Sequence, residues 1–288
     1  MDYVAPRELL ADALELAKKK AGLRVSDMLL RGALAGVFLG YATSLALVVL
    51  SQGLPAILGA ALFPVGFVIL VLLGLELATG NFALLPPAVL SGDVRIGGLV
   101  RNWFWVYVGN LLGSLLYAVL FYLAITNFGK SDGGTLAELV RHAAEKKVVP
   151  YMATGTTGWF TALVKGMLCN WMVTIGTVLA LASRSTVGKV VAMWLPVMTF
   201  FAHGYEHSVV NLYVIPAGML FGAPISPTNW WIWNQVPVTL GNIISGALFT
   251  GMALYATYRT KPARAVLPAV MQDEDIQELS NAPQHCAE

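Results

Sequence analysis

The chain has 288 residues, of which 57% are hydrophobic and only 12% are charged, and its formal net charge is +2. Soluble domains carry about 25% charged residues, so this composition, with a mean hydropathy of +0.68, indicates a protein solvated by a lipid bilayer. The small net charge gives no support to a nucleic-acid-binding function. The two cysteines, Cys169 and Cys286, do not imply a disulfide framework.

The first predicted element is a cytoplasmic amphipathic helix within residues 1–27. This segment mixes acidic and basic side chains, among them Glu8, Asp12 and Lys20. It has no apolar run like the core of a cleavable signal peptide, so we predict no signal sequence here. We expect it to precede a separate transmembrane channel domain over 28–258.

Six apolar stretches follow, and each has the roughly 20 residues that a membrane-spanning helix needs. They cover about 28–51, 56–79, 103–126, 157–182, 189–220 and 235–258. The second and fifth stretches contain polar and helix-breaking residues near their middles, which predicts that both helices are broken: Thr79-Gly80-Asn81 in the second and Gly204-Tyr205-Glu206-His207 in the fifth. Between the third and fourth stretches we predict a short surface helix over 135–149.

The distribution of lysine and arginine predicts that both termini are cytoplasmic. Cytoplasmic loops carry an excess of these residues. The N-terminal segment, the 2–3 and 4–5 loops and the C-terminal segment are basic, whereas the 1–2 and 5–6 loops contain no lysine or arginine. The 3–4 loop is an exception, since it contains both basic and acidic residues on the predicted outer side. We therefore predict a multi-pass protein of the cell inner (plasma) membrane, with a disordered cytoplasmic tail at 259–288.

Three short signatures occur twice in the same order, which indicates an internal repeat. They are the glycine-containing motifs at 31–36 and 165–170, the pattern E-x4-N-x4-P starting at Glu76 and at Glu206, and the Gly-Asn pairs at 109–110 and 241–242. Because each copy contains three spans, the second copy is inverted relative to the first. We therefore predict an all-α polytopic membrane protein with six transmembrane helices, arranged as a 3+3 inverted repeat of 28–126 and 157–258.

The broken helices 2 and 5 are the predicted walls of a pathway, because irregular backbone at this depth is buried in protein or lines a cavity. Ionisable residues there are costly and are candidates for function. Four of the polar residues recur in both copies, so we expect them to satisfy backbone amides freed by the breaks: Glu76, Asn81, Glu206 and Asn211.

His207 has no such counterpart, because Leu77 occupies the equivalent position of the first copy. An imidazole gains or loses its charge with small changes of environment, which suits it to handing a proton to a weak-acid anion. Lys165, with Arg31 as its mirror image, is expected to attract anions to the mouths of the pathway. Thr79 offers either a hydroxyl donor to an anion or a helix cap. Apolar collars, or ordinary packing contacts, are expected at four positions: Phe63, Phe67, Leu77 and Phe200.

Other classes of protein share some of these features. The segment 203–207 matches H-x-x-E-H, the pattern of one class of zinc peptidase, but no Asp, Glu, His or Cys follows between 208 and 272 to supply a third zinc ligand. An intramembrane zinc hydrolase using His203, Glu206 and His207 is thus a distant alternative, and we expect no enzyme activity, metal or cofactor. A water channel is another alternative, but the membrane region of this chain lacks the N-P-A triplets that such channels carry. A scaffold or receptor without transport is the remaining alternative.

Three longer motifs stand out: Leu-Ala-Thr-Gly-Asn at 77–81, Lys-Gly-Met-Leu-Cys-Asn-Trp at 165–171 and Gly-Tyr-Glu-His-Ser-Val-Val-Asn-Leu at 204–212. By these motifs and the two Gly-Asn pairs, the chain resembles the formate/nitrite transporter family from about residue 8 to 258. The resemblance implies an aquaporin-like fold and a homopentamer in which each subunit contains its own pore.

The resemblance also implies roles for individual residues. His207 is similar to the central pore histidine of the family, Thr79 to the threonine at the break of span 2, Asn170 to the asparagine facing the histidine, and Lys165 to the vestibule lysine. The four collar residues named above fall where the family has its constrictions. The chain departs from the family at Ala78, where an aromatic residue is common, and at His203, where a small residue is usual.

We therefore predict a channel or transporter for small monovalent anions, formate and/or nitrite, with protons and the lipid bilayer as further partners. The motifs are slightly nearer to the nitrite branch of the family. Related weak-acid anions, such as hydrosulfide, acetate or lactate, are alternatives. The sequence does not distinguish a channel from a proton symporter.

Overall fold

The structure, a computed structural model, describes residues 2–259, and this part of the chain is almost entirely helical. Apart from Arg259, the predicted tail lies outside the described residues. The helices, in chain order, are α1 (Pro6–Ala21), α2 (Val25–Ser51), α3 (Ala56–Leu62), α4 (Pro64–Leu72), α5 (Ala78–Leu90), α6 (Ile96–Ile125), α7 (Gly134–Ala153), α8 (Thr156–Leu179), α9 (Thr186–Ala202), α10 (Ser208–Leu220) and α11 (Pro227–Tyr258).

Four of these helices, α2, α6, α8 and α11, are long and apolar enough to cross a membrane. The apolar segments between them are shorter, since α3 and α4 are followed by a gap before α5, and α9 is followed by a gap before α10. Helix α11 is itself irregular, because it contains π-helical turns at Trp231–Gln235 and Ser245–Met252.

The two gaps, which we call break one (residues 73–77) and break two (residues 203–207), have the same backbone geometry. The second residue of each is a glycine in the left-handed region, Gly74 and Gly204, both at φ +64°. Each ends with an extended residue that caps the next helix, Leu77 at φ −118° and His207 at φ −104°. Glycine reaches a positive φ without steric cost, and this reversal stops the preceding helix. Break one thus lies just before Thr79 rather than at Thr79-Gly80-Asn81 as the sequence suggested.

A buried asparagine holds each break in place. Asn110 of α6 accepts a hydrogen bond from the backbone N–H of Ala78 at 3.0 Å and donates to the carbonyls of Glu76 and Gly32 at 2.9 and 2.8 Å. Asn242 of α11 makes the same three bonds at break two, at 2.9, 3.1 and 2.8 Å, with Ser208, Glu206 and Gly166. The asparagines, and not the glutamate carboxylates that we expected, satisfy the amides that begin α5 and α10.

Small residues let the long helices approach closely. A Cβ added to Gly113 of α6 would overlap the backbone of Ala33 on α2, and a Cβ added to Gly241 of α11 would overlap Leu163 on α8. Close backbone approach through glycine is the usual packing mode of helices in lipid. These contacts bring the two asparagines within reach of the breaks.

Two amphipathic helices flank this bundle. Helix α1 contacts α5, and α7 contacts α10, α8 and α2. Helix α7 buries Val140, Ala144 and Val148, so it is longer and more buried than the surface helix predicted at 135–149. In both helices apolar residues recur at helical spacing and place one face against the bundle. Charged side chains of these helices also pair with the bundle, as Lys20 does with Glu76 and Lys147 with Glu206.

The N-terminal segment is tied to the loop between α8 and α9. The carboxylate of Asp2 accepts hydrogen bonds from the N–H groups of Arg184 and Ser185 at 2.7 and 2.6 Å, and from the hydroxyl of Ser183 at 2.9 Å. The hydrogen bond from Ser183, followed by those from the backbone amides, lowers the pKa of Asp2. These contacts fasten the segment that leads into α1.

Candidate functional site

Thr79 lies two residues after break one, His207 is the last residue of break two, and the two side chains meet in the centre of the bundle. Thr79 Oγ1 and His207 Nε2 are 3.0 Å apart, and both residues are buried. The other ring nitrogen, Nδ1, accepts a hydrogen bond from the N–H of Val210 at 3.1 Å. A neutral imidazole therefore carries its proton on Nε2 and donates it to the threonine hydroxyl.

Asn170 of α8 lies beside this pair but is placed against the threonine. Its amide nitrogen donates to the carbonyl of Thr79 at 3.1 Å and to the carbonyl of Asn242 at 2.7 Å. Its side-chain oxygen is buried and has no hydrogen-bond partner among the described residues. The hydrogen bond that orients His207 comes from Val210 of α10, which the sequence analysis did not single out.

Two cavities approach the Thr79–His207 pair. The α1-side cavity has a volume of about 380 Å³ and ends at Phe67, Leu77 and Gly80. The α7-side cavity has a volume of about 180 Å³ and ends at Phe200 and His207. The buried threonine lines neither cavity, so the hydrogen-bonded pair and the apolar side chains around it close the space between them.

The four predicted collar residues do not have equivalent positions. Phe67 and Leu77 line the α1-side cavity. Phe200 lines the α7-side cavity, and its ring stacks on the imidazole of His207 with centroids 5.6 Å apart. Phe63 lines neither cavity, because its ring is buried against Phe201 at 3.9 Å and against Phe200 at 5.7 Å. Phe63 therefore packs against Phe200 and Phe201 without lining a cavity.

Cationic side chains surround the α1-side cavity. One carboxylate, Glu76, and four cations line it: Lys19, Lys20, Arg31 and Lys189. The charged residue of the α7-side cavity is Lys147. The α1-side cavity, with four cations and one carboxylate, is therefore suited to concentrate anions. Lys147 of the α7-side cavity is paired with Glu206.

A buried ion pair lies beside each break, and both pairs share one arrangement. Lys20 Nζ is 2.7 Å from Glu76, which also accepts a hydrogen bond from Asn81 at 2.7 Å. Asn81 donates in turn to Asn102, whose amide bonds the carbonyl of Lys20. The same four-residue ring recurs, with an ion pair of 2.9 Å, in Lys147, Glu206, Asn211 and Asn234.

The sequence analysis missed the two lysines of these rings. Lys20 and Lys147 belong to α1 and α7, which we had placed outside the repeats. Their separations from the glutamates, 56 and 59 residues, are nearly equal, and this near-equality is the signal that could have linked α1 and α7 to the breaks.

Lys165, the predicted vestibule lysine, lies elsewhere. It is half-buried, its ammonium group lies 5.6 Å from the ring centre of Tyr151, and it lines neither cavity. Such a contact is a cation–π interaction. Its predicted mirror image, Arg31, does line the α1-side cavity.

The H-x-x-E-H pattern at 203–207, the distant zinc-hydrolase alternative, does not form a metal site in the structure. His203 is exposed, with Nδ1 bonded to the carbonyl of Thr199 at 2.8 Å, whereas His207 is buried and Glu206 faces Lys147. Among residues 2–259, no group of three or more His, Cys, Asp or Glu side chains is placed to hold a metal ion.

Comparison with known proteins decides the family, since the model of the family described as formate/nitrite transporter matches residues 7–256. The chain belongs to the formate/nitrite transporter family. It is 31% identical over 269 residues to the formate channel BtFdhC of Bacillus thuringiensis, covering 90% of this chain and 97% of that protein. It is also 31% identical over 224 residues to the formate channel FocA of Escherichia coli, covering 72% and 75%.

A solved structure described as a pentameric formate channel with formate bound is also similar to this member of the formate/nitrite transporter family. Its TM-score is 0.67 at 28% identity, and the match covers 81% of this chain and 97% of the other. The predicted family and the all-helical class are therefore confirmed. This formate/nitrite transporter family protein is an integral membrane transport protein and not an enzyme.

Proposed function

We propose that this protein conducts formate, nitrite or both across the membrane, with the hydrogen-bonded pair of Thr79 and His207 as the central element of its path. The observation that carries this proposal is the position of that pair, which lies between a cation-lined cavity of about 380 Å³ and a second cavity of about 180 Å³. The names of the similar proteins, which are formate channels, favour formate.

The proposed architecture has six spans in two inverted copies, with α4–α5 and α9–α10 as the broken spans. The matching breaks, asparagine contacts and Lys-Glu-Asn-Asn rings support this arrangement. Each copy then consists of one amphipathic helix and three spans. We propose that both termini are cytoplasmic, because the basic segments lie on that side, so the α1-side cavity opens to the cytoplasm.

The proposed assembly is a homopentamer in the plasma membrane, with one path in each subunit. The support comes from the similar structure, which is described as pentameric. Exposed apolar side chains such as Leu116, Leu120 and Phe104 on α6 are available for contact with lipid or with neighbouring subunits.

Transport would begin with the lysine and arginine side chains of the cavities, which gather the anion. The apolar residues beyond them, Phe67 and Leu77 on one side and Phe200 on the other, cannot replace its hydration shell, so the charged form is penalised there. At the centre, His207 Nε2–H can leave Thr79 and donate to the anion instead. A neutral imidazole is too weak an acid to protonate formate or nitrite, so the ring must first take up a proton through one of the cavities and become an imidazolium. It then transfers one proton to the anion and returns to the neutral form, and the neutral acid passes the apolar residues.

The test is the flux of labelled formate and labelled nitrite into proteoliposomes at two pH values, for the wild type and for His207→Ala. We expect flux of at least one of the two anions in the wild type, and a large loss together with an altered pH dependence in the variant. The matched control is His203→Ala, since His203 lies four residues away and lines neither cavity.

Equal flux and equal pH dependence in the wild type and His207→Ala would reject the role of the histidine. The absence of any flux of small monovalent anions in the wild type would instead favour a scaffold or receptor.

A further inference from the structure

A compact polar cluster lies against the start of α10, directly after His207. Gln235 is its centre, since its amide nitrogen is 2.5 Å from Tyr107 Oη, 2.9 Å from Ser208 Oγ and 3.2 Å from the carbonyl of Ser208. The hydroxyls of Tyr107, Ser208 and Thr239 also lie within 2.6 to 3.1 Å of each other. We call this set of four residues the Gln235 cluster.

The irregularity of α11 places Gln235 at this point. Gln235 is the last residue of the first π-helical turn, and Trp230, which precedes that turn, donates its indole N–H to Gln235 Oε1 at 3.0 Å. π-Helical turns inside α-helices are rare and occur often at functional sites. The side chain of Gln235 is fully buried, and both ends of its amide are bonded.

Break one has no equivalent cluster among the described residues. The residue at the position of Ser208 is Ala78, which has no hydroxyl and is buried in an apolar cluster with Met28, Phe82 and Val106. The helix that lies there, α6, contains no π-helical turn. The cluster therefore does not belong to the shared scaffold of the two breaks and is specific to the break that carries the histidine.

We propose that the Gln235 cluster positions His207, by holding the first turn of α10 so that the imidazole keeps the tautomer and the direction that transport requires. Ser208 is the first residue of α10, and Val210, whose N–H is accepted by His207 Nδ1, belongs to the same turn. That one hydrogen bond directs the ring proton to Nε2, towards Thr79. The four residues of the cluster line neither cavity, so they act through the histidine. This inference rests on the proposed function.

The experiment measures formate and nitrite flux as a function of pH in proteoliposomes containing Tyr107→Phe or Thr239→Val. Each variant removes one hydroxyl of the cluster and keeps the shape of the side chain. The matched control for the first is Tyr117→Phe, because Tyr117 is also on α6 and its hydroxyl is bonded to a serine, Ser44, at 2.7 Å. The conservative variant for the second is Thr239→Ser, which keeps the hydroxyl.

We expect Tyr107→Phe and Thr239→Val to lower the flux about tenfold and to move the pH of half-maximal flux, since small misplacements of a reacting group are costly. Tyr117→Phe and Thr239→Ser should keep the wild-type pH profile. Thermal unfolding in detergent, measured for all variants, should be alike for Tyr107→Phe and Tyr117→Phe, so that loss of folding does not account for the difference.

Including His207→Ala separates the two proposals. If His207→Ala loses flux while Tyr107→Phe matches Tyr117→Phe in rate and pH profile, the positioning role is overturned and the proposed function stands. If His207→Ala keeps full flux with the wild-type pH profile, both proposals are overturned.

Discussion

Break one and break two share a backbone and differ in chemistry. Both turn at a glycine with φ +64°, both are held by an asparagine from a long helix, and both lie beside a buried Lys–Glu pair. At the residue that caps the following helix, however, break one has Leu77 and break two has His207. Two residues after these caps the polar residue follows the other break, since Thr79 follows break one and Val209 follows break two.

This comparison distinguishes the residues that form the scaffold of the two breaks from the residues that we propose take part in transport. The features present at both breaks satisfy backbone groups and buried charges, which any interrupted helix in lipid requires. The imidazole of His207 and the hydroxyl of Thr79 each have no counterpart at the other break, and these two groups meet at 3.0 Å. Each break thus contributes one polar group to a site that neither break could form alone.

The largest expected effect comes from making break two like break one. His207→Leu should lower formate or nitrite flux about 100-fold, because loss of a positioned proton donor typically has an effect of that size. Adding Leu77→His should not restore flux, since the new imidazole would lie on the same break as Thr79 and would face Val209 on the other. Stopped-flow measurements with proteoliposomes check both variants, and recovery in the double variant would contradict the reading of the two breaks as complementary.

Removing one carboxylate from each ring should affect folding equally. Glu76→Gln and Glu206→Gln each leave a lysine without its charged partner, and we expect each to lower the free energy of unfolding by about 2 kcal/mol. The lysines border cavities and are 13% and 19% exposed, so the loss should be smaller than for a fully buried pair.

Thermal unfolding in detergent measures the effects of these two substitutions. Glu145→Gln serves as the control, because Glu145 is paired with Arg141 on the surface of α7 and such pairs contribute little. A large difference between Glu76→Gln and Glu206→Gln would show that the two rings, despite their matching geometry, support the fold unequally.

A smaller effect is expected from the hydroxyl at break one. Thr79→Val keeps the shape of the side chain but removes the partner of His207 Nε2, and we expect flux to fall about fivefold, in line with the loss of one buried hydrogen bond. Thr79→Ser keeps the hydroxyl and should retain most of the flux. Equal flux in the two variants would mean that the hydroxyl has no role.

The smallest effect concerns the N-terminal segment. The segment before α1 is fastened to the loop between α8 and α9 by the carboxylate of Asp2. Because hydrogen bonds from Ser183 and the backbone lower the pKa of Asp2 below the usual value of an aspartate, docking is stabilised above about pH 4 and is weakened as the pH falls through the lowered pKa. Hydrogen-exchange protection of residues 3–12, measured relative to the intrinsic exchange rate at each pH, should therefore be high at pH 7 and lower near pH 3. In Asp2→Asn the protection should be low at both pH values, and unchanged protection would exclude this fastening.

The sequence predicted the parts of the molecule that depend on local pattern. The apolar stretches located the helices, and the duplicated signatures located two breaks, although the first proved to lie at 73–77. His207 was selected as a candidate because the equivalent position of the first predicted copy contains Leu77 instead of a histidine. By contrast, the lysines of the two rings were missed, because α1 and α7 are separated in sequence from the glutamates that they meet.

What the sequence determined by itself was the solvent of the protein and its helical class, since these follow from the number and length of the apolar stretches along the chain. The internal duplication was predicted from motifs that recur in the same order. What only the tertiary structure decided was which polar groups face each other. Thr79 and His207 are 128 residues apart, and their contact depends on helix crossings set by glycine and asparagine contacts between distant helices. The same holds for Asn170, which lies against Thr79, and for Lys20 and Lys147, whose charges are placed at the cavities by helix packing.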